Sequence, residues 1–186
     1  MGGTGWGRVA RLVLVLVPLA LAALSGASGC GSVDAIALAN APEPPPAAAT
    51  QATVLRVVDG DTVVVTGPQD EQERIRVLGI DAPETVSPRL PVQCGGPESA
   101  AFAQHMLVGR HVTLVPDPTQ AGRDFYRREL RYVRLEDGSD FSVASARAGM
   151  SRSYVFGRIP VSERKQIDAA QAQARAEHKG IWSHCR

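Results

Sequence analysis

The stretch Arg74–Thr85 reads R-I-R-V-L-G-I-D-A-P-E-T and determines how the rest of the chain is interpreted. Its first half, Ile75–Ile80, has strand composition, because β-branched and apolar residues are interrupted by a single charge, Arg76. Its second half places Asp81 and Glu84 on either side of a proline, a residue that cannot continue a central strand. The stretch therefore predicts a strand that carries one cation and ends at two carboxylates.

A second acidic segment, Asp59-Gly60-Asp61-Thr62, lies just upstream between two runs of strand composition. The dipeptide Asp-Gly between such runs is a strong hairpin signal. If this hairpin packs beside the strand that ends at Asp81, the carboxylates of Asp61 and Asp81 reach one point. The sequence leaves open the alternative that Asp59 and Asp61 only shape the turn.

Carboxylates brought together in this way favour a metal ion. Two carboxylates about 4 Å apart repel each other by about 4 kcal/mol at an effective dielectric constant near 20, and a bound cation removes that repulsion. Ligation by oxygen atoms alone favours a hard ion such as Ca²⁺ over zinc or copper. The sequence therefore predicts a Ca²⁺ site that contains Asp61 and Asp81.

The two other charges of the stretch also have predicted roles. Glu84 follows Asp81 by three residues and could orient or deprotonate a water near the metal, although an ordinary loop glutamate fits the pattern as well. Arg76 has apolar neighbours, and a buried arginine needs a partner. That partner is either one of the carboxylates or a phosphate whose charge grows in the transition state.

Turn and helix signals divide the rest of the chain into elements. The predicted strands are Thr53–Val58, Thr62–Thr66, Glu73–Ile80, His111–Val115 and Arg128–Leu135, and the predicted helices are Pro97–Gly109, Ser142–Ala148 and Ser162–Lys179. Three strands in a meander, followed by a helix, two strands and two helices, predict an α+β fold: a five-stranded β-barrel of the OB type with about three helices. The polar loop Asp117–Tyr126 between the last two strands is of a kind that often carries function.

The N-terminus has the composition of a signal peptide. Arg8 and Arg11 precede the uncharged apolar run Leu12–Leu24, which is shorter than the about 20 residues of a membrane-spanning helix. A short anchor that stays attached is the alternative. We therefore predict a signal peptide at 1–29, an Ala- and Pro-rich linker at 30–51 and one folded domain at 52–186.

The segment Ala27-Ser28-Gly29-Cys30 is similar to a bacterial lipobox, in which the cysteine is lipidated and becomes the new N-terminus. Ala27 departs from the leucine that is usual at the first position, and small residues near Ala27 and Ala41 offer ordinary cleavage sites. Lipidation of Cys30 and ordinary cleavage both remain open. Either outcome predicts an extracytoplasmic protein, secreted or anchored as a lipoprotein to the outer face of the cell membrane.

Three cysteines are present, and an odd number in an exported protein requires an explanation. If Cys30 carries lipid, Cys94 and Cys185 remain as a pair that an oxidising compartment would allow to form a disulfide. Two unrelated buried thiols are the alternative. The bridge would tie the loop after the acidic stretch to the end of the chain.

The net charge argues against indiscriminate binding to nucleic acid. The predicted signal peptide contains two of the 20 Lys and Arg residues and none of the 19 Asp and Glu residues, so the rest of the chain has one net negative charge with His neutral. Proteins that bind nucleic acid through their overall charge are strongly basic. Phosphate binding therefore requires a local cluster. All basic residues except Lys165 and Lys179 are arginines, which suit bidentate phosphate contacts, although arginine-biased codon usage also explains this.

Four segments, in consistent order and spacing, resemble the staphylococcal-nuclease-like (thermonuclease) family. They are Val58-Asp59-Gly60-Asp61-Thr62, Arg76-Val77-Leu78-Gly79-Ile80-Asp81-Ala82-Pro83-Glu84-Thr85, Gly96-Pro97-Glu98 and Asp124-Phe125-Tyr126-Arg127-Arg128. The resemblance runs from about Thr53 to Trp182 and makes 52–186 a predicted thermonuclease domain.

This resemblance implies a Ca²⁺-dependent nuclease that hydrolyses DNA and RNA and leaves 3′-phosphate ends. In the family, two carboxylates and a carbonyl bind calcium, a glutamate activates water, arginines stabilise the transition state and tyrosines line the nucleotide pocket. The matching residues are Asp61, Asp81 and the carbonyl of Ala82 for the metal, Arg76, Glu84 and Arg128 for catalysis, and Tyr126 and Tyr154 for the substrate. We expect a monomer whose membrane contact is limited to lipid on Cys30.

Three positions depart from the family pattern. Ala82 replaces a threonine, which a carbonyl ligand tolerates. Arg127 stands where a glycine usually precedes the catalytic arginine, and Glu129 replaces a small residue just after it. These two differences predict that Arg128 is presented differently, or that Glu129 pairs with it.

Two other functions fit parts of the sequence. One is a non-catalytic OB-fold envelope lipoprotein that binds nucleic acid by aromatic stacking. The other is an interaction lipoprotein that uses the barrel as a scaffold. Aromatic residues make up only 5% of the chain while the full acidic set is present, and both facts favour an enzyme.

Overall fold

The computed structural model describes residues 48–67, 69–87 and 91–185. The predicted signal peptide, Cys30 and nearly all of the predicted linker lie outside these residues. Within the described ranges, no helix has the length and apolar character needed to cross a membrane.

Five strands close into a barrel. These are β1 (Thr50–Asp59), β2 (Thr62–Thr66), β3 (Gln72–Val77), β5 (His111–Val115) and β6 (Glu129–Arg134), and a separate two-stranded sheet consists of β4 (Ile80–Asp81) and β7 (Arg152–Ser153). The strand order in the barrel is β1-β2-β3-β6-β5, with β1 also paired to β5. Neighbours are antiparallel except β3 and β6, which are parallel. The predicted five-stranded OB-type barrel is confirmed.

The long strand β1 closes the barrel because it bends. Its N-terminal residues, Thr50–Thr53, pair with β5, and the part from Thr53 to Asp59 pairs with β2. Two register shifts against β2 interrupt the second part. Such bulges increase twist and bend a strand, which lets one strand serve two neighbours. The strand begins at Thr50, two residues before the predicted start of the domain.

The described part of the chain contains four helices. They are α1 (Gly96–Leu107), α2 (Phe141–Arg147), α3 (Arg164–Ala176) and α4 (Ile181–His184). The single turn α4 was absent from the predicted set. The buried face of α3 consists of Ile167, Ala170 and Ala174. The helix predicted to begin at Ser162 begins at Arg164, with Glu163 as its N-cap. Ser162 instead donates from its backbone N–H and its hydroxyl to the carboxylate of Asp117.

The predicted strand Glu73–Ile80 is wrong at its C-terminal end. β3 stops at Val77, and Gly79 has a φ of 77°, a left-handed conformation that breaks the strand. The chain then leaves the barrel as β4 and pairs with β7, with Asp81 opposite Arg152. This turn carries Asp81 away from β3 and towards the cleft described below.

Candidate active site

The register of the barrel strands brings the predicted acidic segments together. Thr62 pairs with Arg76 across β2 and β3, and the backbone N–H of Val77 donates to the carbonyl of Asp61 at 2.9 Å. β3 also pairs in parallel with the start of β6. The turn between β1 and β2, the end of β3 and the start of β6 therefore meet at one end of the barrel.

A cleft of about 440 Å³ lies at this end. All the residues predicted to bind metal, to bind substrate or to catalyse line it: Asp61, Arg76, Asp81, Ala82, Glu84, Tyr126, Arg128 and Tyr154. The structure thus gathers into one cavity residues that are spread over most of the domain sequence.

Arg76 connects the two predicted metal ligands. Its Nη2 lies 3.1 Å from Oδ2 of Asp61 and donates to Oδ1 of Asp81 at 3.2 Å. Its Nη1 donates to the carbonyls of Val77 at 2.7 Å and Ile80 at 2.8 Å. The side chain is 13% exposed, so this half-buried cation contacts the two carboxylates and also lines the cleft.

The carboxylates crowd one another. Asp61 is buried, and its Oδ2 also accepts the backbone N–H of Ala82 at 2.8 Å. Burial and repulsion from Asp61 raise the pKa of Asp59 to about 7, and the same two causes raise the pKa of Asp81. Burial is the larger cause of both shifts, and the repulsion from Asp61 adds to it although Arg76 lowers the pKa of Asp81.

This donor set suits a hard cation. The side chains of Asp61 and Asp81 offer only carboxylate oxygens, and the neighbouring backbone adds carbonyl oxygens such as that of Ala82. Ca²⁺ prefers oxygen ligands of this kind, whereas zinc and copper prefer nitrogen and sulfur. The ligand atoms and the negative charge of these residues therefore both suit a calcium ion.

Glu84 is held by its own loop. Its Oε1 accepts the backbone N–H groups of Thr85, Val86 and Ser87 at 3.0, 2.8 and 3.0 Å. Its backbone N–H donates to Oε1 of Gln93 at 3.0 Å, and its carbonyl accepts the N–H of Gln93 at 2.9 Å. One carboxylate oxygen is thus fixed by the backbone, and this fixes the direction of the other.

Arg128 is held by Asp124 rather than by Glu129. Its Nε and Nη2 both lie 2.7 Å from Oδ2 of Asp124, and its backbone N–H donates to Oδ1 at 2.9 Å. Glu129 instead pairs with Arg123 at 2.9 Å and Arg131 at 3.1 Å. The expectation that Glu129 could pair with Arg128 is therefore wrong.

A tight hairpin loop presents Arg128. The backbone N–H of Arg127 donates to the carbonyl of Asp124 at 3.0 Å, and the N–H of Asp124 donates to the carbonyl of Arg128 at 2.9 Å. Arg127 has a φ of 63°, the left-handed residue that three-residue hairpin loops require. Glycine adopts this conformation without cost, which explains its use in the family; here the same conformation is adopted by an arginine.

Thr62 links the two halves of the site. Its buried hydroxyl donates to Oδ1 of Asp61 at 3.0 Å and accepts from Nη1 of Arg128 at 3.1 Å. The metal-side carboxylate and the second arginine are therefore connected through one side chain. Thr62 follows Asp61 in the hairpin segment Val58–Thr62, but no local pattern predicts this contact because it joins residues 66 positions apart.

Aromatic side chains border the cleft. Tyr126 is 73% exposed, stacks edge-on against Phe125 with centroids 5.7 Å apart, and lies 5.4 Å below the guanidinium of Arg128. Tyr154 is placed by its backbone N–H, which donates to the carbonyl of Gly79 at 2.9 Å. Residues that line the cleft and were not predicted as site residues include Asp59, Gln93, Asp124, Phe125 and Phe156.

The structure contains the disulfide between Cys94 and Cys185, with an S–S distance of 2.07 Å and Cα atoms 5.7 Å apart. It joins the residues just before α1 to the residue that follows α4. The loop after Glu84 is therefore covalently tied to the C-terminal end of the chain.

Comparisons with known proteins agree with this site. The family model of the staphylococcal nuclease homologues matches residues 74–184. The chain is 33% identical to a thermonuclease of Staphylococcus hyicus over 174 residues, which are 93% of this chain and 96% of that protein. It is 37% identical to a thermonuclease of Staphylococcus intermedius over 131 residues, 69% of this chain and 74% of the other. It is also 30% identical to endonuclease YhcR of Bacillus subtilis over 159 residues, only 13% of that longer protein.

Proposed function

The chain belongs to the staphylococcal nuclease homologue family, and on that premise we propose that it is an exported, Ca²⁺-dependent nuclease that hydrolyses phosphodiester bonds of DNA and RNA. The observation that carries the proposal is the convergence of three carboxylates and two arginines on one cleft. These residues are Asp61, Asp81, Glu84, Arg76 and Arg128.

Asp61, Asp81 and the carbonyl of Ala82 would hold the calcium ion. When bound, the ion neutralises the carboxylates and polarises a phosphoryl oxygen. The raised pKa values of Asp59 and Asp81 support this assignment, because burial and repulsion from Asp61 both disfavour their charged forms, and a bound cation would favour those forms.

Glu84 acts as the general base. It accepts a proton from the water whose oxygen attacks phosphorus, while the bond from phosphorus to the 5′-oxygen breaks on the opposite side. The 5′-oxygen takes a proton from solvent, and the products are a 3′-phosphate and a 5′-hydroxyl. The three amides on Oε1 support this role, because they orient the carboxylate without a second side chain.

Arg76 and Arg128 act as donors to the phosphate. Negative charge grows on the phosphoryl oxygens in the transition state, and positioned guanidinium groups stabilise it. Asp61 and Asp124 hold the two arginines in place before substrate binds. Tyr126 and Tyr154 offer their rings to the nucleotide, because aromatic faces stack on any base.

We further propose that the mature protein acts as a monomer outside the cytoplasm, after loss of residues 1–29. The signal-peptide composition supports export, and lipid on Cys30 would be its only membrane contact. Incorporation of a labelled lipid that disappears in Cys30→Ser tests the anchor, and release of that variant into the medium is expected.

The deciding experiment is digestion of double-stranded DNA, single-stranded DNA and RNA by the purified protein. We expect cleavage with millimolar calcium, arrest by a chelator, and products whose 5′-hydroxyl ends can be phosphorylated directly by a kinase. No cleavage between about pH 7 and pH 10 in calcium would contradict the proposal. Tight binding without cleavage would instead support the non-catalytic OB-fold protein.

A further inference from the structure

The segment that follows Glu84 returns to it at Gln93. The backbone N–H of Gln93 donates to the carbonyl of Glu84 at 2.9 Å, and the side-chain Oε1 of Gln93 accepts the N–H of Glu84 at 3.0 Å. One residue thus satisfies both peptide groups of the general base. Gln93 also lines the cleft.

These two hydrogen bonds cannot hold the loop without further support. Gln93 is exposed, and water replaces an exposed hydrogen bond at little cost in free energy. The next residue, Cys94, is covalently bound to Cys185 across a sequence separation of 91. The disulfide therefore fixes the position from which Gln93 reaches Glu84.

Close packing continues from the disulfide into α1. A Cβ added at Gly95 would lie 2.5 Å from Cγ2 of Ile181, a buried residue of α4. A Cβ added at Gly96 would lie 2.7 Å from Cγ2 of Thr85 and 3.0 Å from the carbonyl of Glu84. The backbone at 95–96 is therefore packed between the Glu84 loop and the C-terminal helix that carries the other half of the bridge.

We propose that Gln93, fixed by the Cys94–Cys185 disulfide, positions Glu84, so that turnover depends on the oxidised bridge. The inference rests on the proposed function, because it concerns the role assigned to Glu84. The barrel strands, rather than this segment, hold Asp61 and Arg76. Calcium affinity and substrate affinity should therefore depend little on the bridge, and the proton-accepting step should depend on it strongly.

The bridge is open to reduction, because Cys94 is exposed. A dithiol such as dithiothreitol supplies two electrons and two protons: the protein S–S bond breaks to two thiols, and the reductant closes to its own disulfide. The reaction needs no other reactant, so oxidised and reduced forms of the full-length protein can be compared directly.

The first test measures steady-state kinetics of the oxidised protein, the dithiothreitol-reduced protein and Gln93→Ala. We expect kcat to fall about tenfold in the last two, with KM and the calcium dissociation constant within about twofold of the oxidised values. Val112→Ala is the control, because it destabilises the barrel core at a position outside the cleft. All samples are assayed well below their melting temperatures, and the control should keep its kcat.

The second test does not depend on activity. Hydrogen exchange of the backbone amides of Thr85, Val86 and Ser87, which bind Oε1 of Glu84, should become at least about tenfold faster on reduction, while barrel amides keep their protection. Unchanged exchange at these amides overturns the inference, and so does faster exchange with unchanged kcat. An oxidised protein that cleaves nothing would refute the proposed function, and the exchange rates alone would then decide whether the bridge holds the loop.

Discussion

The chemistry of the cleft depends on residues that are each fixed by partners from the backbone or from neighbouring strands. Glu84 is fixed by three amides, Arg76 by two carboxylates and Arg128 by Asp124. Side chains ordered in advance lose little entropy when substrate binds. Substitutions at these positions should therefore affect turnover more than stability or substrate affinity.

Glu84→Gln should lower kcat by at least about 100-fold, because the amide keeps the size of the side chain but cannot accept the proton of water. KM should change little. Glu98→Gln is the matched control, since Glu98 lies exposed in the first turn of α1 and should behave like the wild type. Single-turnover cleavage of a labelled oligonucleotide measures the effect, and activity of Glu84→Gln within about threefold of the wild type would contradict its role as base.

Arg128→Ala should lower kcat by about 100- to 1,000-fold, the range for loss of one donor to transition-state charge. Arg123→Ala is the control from the same loop, because Arg123 is half exposed, pairs with Glu73 and Glu129, and does not line the cleft. Its kcat should stay near the wild-type value. If kcat falls equally in both variants, the loss of activity is caused by the reduced positive charge of the loop and not by a specific role of Arg128.

The residues of the site could be predicted from the sequence, but the contacts between them could not. Asp61, Asp81 and Glu84 could be selected because acidic residues at strand ends suggest metal chemistry. The link through Thr62 could not be selected, because it depends on which strands pair and in which register. The pair of Arg128 with Asp124 is local, since Asp124 lies four residues earlier in the same hairpin loop. Pairing between strands is set by tertiary packing, which a local pattern does not contain.

Local signals were most accurate for elements bounded by turn residues. β2 and β5 were predicted to the residue, because Asp-Gly and proline mark their ends. The end of β3 was missed, since Gly79 inside an apolar run did not reveal that the chain turns there. The sheet of β4 and β7 was also missed, because each strand has two residues and its partner is distant in sequence.

The loop from 117 to 128 is anchored by Asp117, which the sequence marked only as part of a polar segment. This buried carboxylate accepts hydrogen bonds from Tyr132 at 2.6 Å, from the backbone and side chain of Thr119, and from those of Ser162. Burial opposes its ionisation, but the hydrogen bonds outweigh burial and lower the pKa of Asp117 to about 2. The residue thus joins β6 to the start of α3.

Asp117→Asn should lower the free energy of unfolding by about 2–4 kcal/mol, because an amide NH₂ would face the donors Tyr132 or Ser162. Asp137→Asn is the control, since Asp137 makes similar hydrogen bonds to Ser139 in an exposed turn, and this substitution should change the free energy of unfolding much less. Urea denaturation at neutral pH measures both values. Equal effects of the two substitutions would contradict the anchoring role.

The lowered pKa of Asp117 also predicts how the free energy of unfolding changes with pH. The stabilisation is complete above the pKa of about 3.8 in the unfolded chain and is lost as the pH falls towards about 2. The stability difference between the wild type and Asp117→Asn should therefore narrow from about pH 5 to about pH 3. A difference that stays constant over this range would mean that the charged form is not the one that the hydrogen bonds favour.

Long-range connections hold the whole domain together. The parallel pairing of β3 with β6 and the pairing of β1 with β5 close the barrel between segments far apart in sequence. The disulfide adds a cross-link over a separation of 91 residues, which the chain-entropy model values at about 4–5 kcal/mol. At the acidic end of the cleft, by contrast, burial and repulsion from Asp61 oppose ionisation of Asp59 and Asp81.

Calcium should therefore stabilise the folded protein, and more strongly at higher pH. The pKa of Asp59 is about 7 and that of Asp81 is raised, both above the 3.8 of an unfolded aspartate. Because the native state keeps protons that the unfolded chain has released, stability without calcium falls as the pH rises from about 4 to about 7. Calcium removes that repulsion, and at 100 times its dissociation constant it adds about 2.7 kcal/mol.

Thermal melts with and without calcium at about pH 5 and about pH 8 measure this coupling. We expect a larger gain in melting temperature at the higher pH, because protons no longer compete with the ion for the carboxylates. Asp61→Asn should abolish most of the gain from calcium, since it removes one of the two carboxylates predicted to hold the ion. Equal gains at both pH values, or the same gain in Asp61→Asn as in the wild type, would show that calcium binds elsewhere on the protein.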